Sequence, residues 1–72
     1  MDYADRIFYL RKSLGLTRKQ LAAGAGMSEE GVKGYERRSR KPAYEGLMSL
    51  ADFFNVSIDY LVGRSNNPAR LP

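Results

Sequence analysis

This chain of 72 residues has no cysteine and no histidine. Without cysteine no disulfide can staple the fold, so a small domain with a thin stability margin must rely on packing and capping. That absence also suits a reducing compartment. Lacking both residues, the chain cannot build the usual zinc sites, nor a nucleophile–base pair that needs either side chain. Long apolar runs are absent too, and none approaches the roughly 18 residues that suggest a membrane span. The start, Met1-Asp2-Tyr3-Ala4-Asp5, is acidic and has neither the basic opening nor the apolar stretch of a signal peptide. Gly24-Ala25-Gly26 is not followed by Gly-Lys-Ser/Thr, so it is no phosphate loop. Most of the scattered Asp and Glu residues fall at helix starts, where capping explains them. These absences predict one cytoplasmic domain that is not an enzyme, with no metal, no cofactor, no membrane and no small-molecule ligand implied.

What the chain does have is positive charge in one place. Between Thr17 and Lys41, the cations Arg18, Lys19, Lys33, Arg37, Arg38, Arg40 and Lys41 face only Glu29, Glu30 and Glu36, a net of +4 that equals the charge of the whole chain. Arg6, Arg11 and Lys12 nearly balance Asp2 and Asp5 before it, and Arg64 and Arg70 are outnumbered by Glu45, Asp52 and Asp59 after it. Cations gathered in one third of a chain favour an anionic partner there, a solvated basic surface being the plainer alternative.

Apolar spacing and punctuation divide the chain into five short helices. Asp2 caps the first, in which Tyr3, Ile7, Leu10 and Leu14 define an apolar face and Gly15 marks the end. Thr17-Arg18-Lys19-Gln20 forms a capping box for a second helix carrying Leu21, Ala22 and Ala25, with Gly24 and Gly26 expected to end it in a tight turn. Ser28 caps a third helix, with Glu29 and Glu30 in its first turn and Val32, Tyr35 and Glu36 facing inward. Arg37-Arg38-Ser39-Arg40-Lys41 reads as a basic loop closed by Pro42. A fourth helix runs from about Tyr44 with Leu47, Leu50, Ala51 and Phe54 on one face, and Asn55 breaks it. Ser57 caps a fifth, carrying Ile58, Leu61 and Val62, and Gly63 closes it. Residues 65–72 are expected to form a flexible tail behind a domain at 1–64.

The ordered set Leu10-Arg11, Leu14-Gly15-Leu16, Leu21-Ala22, Gly26-Met27-Ser28, Val32, Glu36, Pro42, Leu50-Ala51, Val56-Ser57 and Asp59-Tyr60-Leu61 resembles the phage-repressor/Cro family of helix-turn-helix domains, the Xre type. The resemblance implies an all-α, lambda-repressor-like bundle whose second and third helices, about residues 18–37, form the motif. The physical logic stands beside the resemblance. Leu21 and Val32 pin two short helices across a turn, Ala22 lets them cross closely, and Gly26 takes the positive φ a compact turn needs. An exposed third helix, about 28–37, is then free to enter a major groove about 12 Å wide.

By resemblance, Ser28, Glu29, Glu30, Lys33 and Gly34 are the positions that face base edges. Lys33 suits guanine O6/N7, and Glu29 or Glu30 suits cytosine N4, although capping and dipole complementarity also account for Ser28 and the two acids. Thr17, Arg18 and Lys19 at a helix N-terminus, with Arg37, Arg38, Arg40 and Lys41 beyond the third helix, are candidates for phosphate contacts. Arg11 and Glu36 match a pair that links the first and third helices in the family, which implies a structural role. Three departures stand out. Arg18 replaces a common glutamine, Arg38 replaces a usual glycine, and Ala43 replaces a capping Ser or Thr. Gly31 and Gly34 inside the third helix each weaken it by roughly 1 kcal/mol relative to alanine.

The expected function is sequence-specific binding of double-stranded DNA by a small transcriptional regulator, a repressor, acting as a homodimer at least on DNA. Ile58, Tyr60, Leu61, Val62 and Leu71 are candidates for the dimer contact, with Ile58 and Leu61 assigned first to the core. The alternative is a protein-interaction module, an antirepressor or antitoxin-like partner, which the two acids and two glycines motivate.

Overall fold

A computed structural model describes residues 1–70, and all its regular structure there is helical. The elements are α1 (Tyr3–Ser13), α2 (Arg18–Ala25), α3 (Glu29–Arg37), α4 (Tyr44–Phe54) and α5 (Ile58–Leu61). They form the five-helix all-α bundle expected from the sequence, with overall dimensions of 29 × 22 × 21 Å.

The helix starts are set locally. Asp2, Thr17, Ser28 and Ser57 each stand just before a helix with extended backbone and accept from the N–H three residues on. At Thr17 the box is complete, because Gln20 Oε1 accepts from the Thr17 N–H at 2.8 Å. Each such cap satisfies a donor that the first turn would leave unpaired. Ala43 has no side chain to do this. Its backbone N–H donates instead to the hydroxyl of Tyr35 on α3, at 3.2 Å, so the start of α4 is tied to α3.

Two expectations about the first two helices need correction. Leu14 does not join the apolar face of α1: it is 59% exposed. The helix ends at Ser13, and Gly15, with φ of 69°, swings the chain back so that Leu16 donates to the Arg11 carbonyl at 3.1 Å. Leu16 is the half-buried residue there. Gly24 does not end α2 but lies within it, and the turn belongs to Gly26 alone, in the left-handed region at φ 69°. A Cβ on Gly24 would collide with the Phe53 ring, so the glycine is what lets α4 close on α2.

Ile7, Leu21, Val32, Leu50 and Leu61 are completely buried, one from each helix, with Ala22 and Ala51 between them. α3 packs against α1 and α2, and α4 against α2 and α5. α3 is thereby supported from behind by two helices. Arg6 is an unexpected neighbour of this core, only 5% exposed. Its guanidinium lies 3.8 Å from the centre of the Tyr60 ring, and its Nε has no hydrogen-bond partner among the described residues.

Behind α5 the chain turns back. The Pro68 carbonyl accepts from the Ser57 N–H at 3.1 Å, and Arg70 pairs with Asp52 at 2.6 Å. The remaining two residues of the expected tail, Leu71 and Pro72, lie outside the described residues.

Candidate nucleic-acid interface

The two sides of α3 meet different surroundings. Gly31, Val32, Gly34 and Tyr35 are buried, while Glu29, Glu30 and Arg37 are exposed and Lys33 is half-buried. Ser28 caps the helix through its Oγ, which accepts from the Gly31 N–H at 3.0 Å and keeps its own proton free to donate. Glu29 and Glu30 sit in the first turn, where the helix dipole favours them. Beside this outward stripe, Glu30, Lys33, Gly34, Arg37, Ser39 and Arg40 line an open cleft of about 330 Å³.

At the start of α2, Thr17 and Gln20 cap each other, and the Thr17 hydroxyl, which accepts from the Gln20 N–H, keeps its own proton free to donate. Lys19 is exposed. Arg18 leans toward α3, its Nε donating to Glu36 Oε1 at 3.2 Å. Glu36 is the centre of a three-helix junction. Arg11 Nε donates to its Oε2 at 2.7 Å and Arg11 Nη2 to its Oε1 at 3.0 Å, while Arg11 Nη1 donates to the Leu16 carbonyl at 2.9 Å. The side chains of Arg11 and Glu36 are 9% and 3% exposed. A carboxylate so enclosed is satisfied by charge-assisted bonds rather than by water, and it holds α3 in a fixed attitude to α1 and α2.

Arg38 stands apart from the other basic-loop residues. It ends α3 in the left-handed region at φ 61°. Its guanidinium turns to α1, with Nε on Asp2 Oδ2 at 2.8 Å and Nη2 on Asp2 Oδ1 and Asp5 Oδ1 at 2.9 Å each. The Arg38 bonds, followed by the Asp5 N–H, pull the Asp2 carboxyl down from its usual 3.8 to about 2. The two carboxylates in turn raise the Arg38 guanidinium above its ordinary value. Its fork is thus committed within the chain. No local sequence signal announces this pairing, since the acids are caps and first-turn residues of another helix.

Gly34, expected at a base-facing position, has no open space before it. The side chain of Arg40 lies against it, and an added Cβ would stand 3.0 Å from Arg40 Cβ. Lys41 and Arg37 are exposed. Of the residues considered for a dimer contact, Leu61 is fully buried, Ile58 and Tyr60 pack against the core, Val62 is half-buried, and Leu71 lies outside the described residues. Among the described residues no cluster of metal-ligating side chains forms, and no helix is long and apolar enough to cross a membrane.

Two short helices held at a tight turn, with the second exposed along one side and braced by a third, define a helix-turn-helix domain. The chain matches the helix-turn-helix family over residues 7–61. It belongs to that family, among the Xre/Cro-type transcriptional regulators. It is 39% identical over 66 residues to the uncharacterized HTH-type transcriptional regulator YobD of Bacillus subtilis, covering 92% of this chain and 59% of that protein. It is 36% identical over 64 residues to the cryptic phage CTXphi transcriptional repressor RstR of Vibrio cholerae, covering 89% of this chain and 57% of that one. The chain therefore spans a little over half the length of these curated relatives. Among solved structures it is similar to the P22 c2 repressor in complex with synthetic operator 9T, with a TM-score of 0.82, 28% identity, and coverage of 90% of this chain and 98% of that one.

Proposed function

We propose that this chain binds double-stranded DNA sequence-specifically as the DNA-binding part of a transcriptional repressor. It does so as a homodimer, with α3 in the major groove of each half-site. The observation that carries the reading is the exposed stripe of α3. Lys33 and Arg37 lie along it, Arg18 at the start of α2 reaches Glu36 on the same helix as that stripe, Lys19 beside Arg18 is exposed, and a buried ion-pair junction fixes its attitude. Ser28, Glu29, Glu30 and Lys33 then face base edges, while Thr17, Arg18, Lys19, Arg37 and Lys41 meet phosphates. A module this small has a small footprint, so two copies on neighbouring half-sites supply the affinity that one cannot.

Selection of bound duplexes from a random pool tests the reading. A motif with two-fold symmetry and half-sites about 34–36 Å apart is expected, with an affinity that falls steeply as salt rises. Lys33→Ala is expected to relax the preference at one base position by about tenfold. A pool that stays random, with no gel retardation even at low salt, overturns DNA binding and favours a protein partner for the same surface.

A further inference from the structure

Gly31 and Gly34 share one side of α3, and that side is not bare. The N–H groups of Ser39 and Arg40 both donate to the Gly34 carbonyl, at 3.0 and 3.2 Å. These bonds fold the basic loop straight back onto the end of α3. An ideal Cβ built on Gly34 would stand 3.0 Å from Arg40 Cβ, 3.5 Å from Nε and 3.7 Å from Cδ, and one built on Gly31 would stand 3.7 Å from Arg40 Nη1. The Arg40 side chain therefore runs along α3 from the level of Gly34 to the level of Gly31, one turn nearer the helix start. It uses the space that the missing side chain of Gly34 leaves open and ends within ordinary contact distance of Gly31, where the Ser28 Oγ is the nearer neighbour at 3.2 Å. The same arginine lines the cleft shared with Glu30, Lys33 and Arg37. Among the described residues its guanidinium makes neither a hydrogen bond nor an ion pair, so all its donors remain available. Each glycine weakens a helix, and at Gly34 a trough that seats a loop side chain on the reading helix gives the glycine a purpose.

We infer that Arg40 is a specificity-determining residue: laid in the glycine trough of α3, its guanidinium stands in for the absent side chain of position 34 and reads a base edge, guanine by its chemistry, rather than a phosphate. The planar fork matches guanine O6 and N7 with two parallel bonds fixed in one plane, whereas a lysine brings a point charge on a flexible stem and discriminates less. The aliphatic stem, seated against the helix, aims that fork before DNA arrives, whereas neighbouring Lys41 shows no such seat. This assignment rests on the DNA-binding reading above.

The test is selection from a random duplex pool with the wild-type chain and with Arg40→Lys, Arg40→Ala, Gly34→Ala and Lys41→Ala, each first shown to be folded by circular dichroism. The wild type yields a motif. Arg40→Lys, which keeps the charge, and Arg40→Ala both flatten the same guanine position in each half-site by about tenfold and leave the rest of the motif intact. Gly34→Ala, whose Cβ pushes against the arginine stem while favouring the helix, weakens the preference at that same position. Lys41→Ala weakens binding to all sequences alike and leaves the motif unchanged. If the motif survives unaltered in Arg40→Lys and Arg40→Ala, base reading by Arg40 is overturned while DNA binding stands. If the wild type itself selects nothing, both readings fall together.

Discussion

Arg38 occupies a backbone conformation that L-residues visit at a cost of roughly 1–2 kcal/mol, and it is the residue whose side chain reaches across to Asp2 and Asp5. Replacing it with glycine would relieve the backbone and release both carboxylates, so the Asp2 carboxyl, held at about 2, should titrate closer to its usual 3.8. Side-chain carbon NMR through acid pH checks this. The sign of the linkage follows from the lowered value. In the wild type the Asp2 contribution to stability is fully present above pH 3.8 and is lost as pH falls through about 2. Arg38→Gly should shrink that acid-side loss, and urea midpoints at pH 5 and pH 2 would show it. Arg6 invites a different substitution. Its guanidinium packs on Tyr60 with a buried, unpaired Nε, and a cation–π contact on this half-buried ring returns about 1 kcal/mol. Methionine of similar length keeps the packing without the desolvation, so Arg6→Met should raise stability by about 1 kcal/mol. A fall in the urea midpoint would contradict that assignment.

At the scale of the helices, the weakest start belongs to α4. Ala43 has the extended φ and ψ of a capping residue but offers no acceptor. Ala43→Ser should supply one and add about 1 kcal/mol, read as a higher thermal midpoint. Caps of this kind were legible in the sequence because they join residues three apart, as Thr17 and Gln20 do. Leu14 and Gly24 depart from the sequence pattern for the opposite reason. Leu14 fits the apolar period of α1, but the helix ends before it and the Gly15 turn brings Leu16 inward instead. Gly24 looks like a terminator, yet its meaning is set by Phe53 two helices later, and no local pattern carries that. Among the interface residues the outward stripe of α3 was legible from helical spacing. The course of the Arg40 side chain was not, because it depends on how the loop turns at Arg38 and bonds to the Gly34 carbonyl.

Over the whole molecule, a buried carboxylate coordinates three helices. Arg11→Met would leave Glu36, whose side chain is 3% exposed, with only the partial help of Arg18, and should cost about 3–5 kcal/mol in urea unfolding. The partner change Glu36→Gln should weaken folding in the same direction, and a double variant that removes both charges should recover part of the loss.

The Glu36 junction also says how such a domain can diversify. Positions 11, 18 and 36 keep the framework square from within, whereas 29, 30, 33, 37 and 40 decorate its outer edge. An engineer wishing to retarget the molecule can exchange the second set as a cassette and leave the first alone. A transplanted α3 that arrives in a host without those two arginines would bring along an acid with nothing to hold.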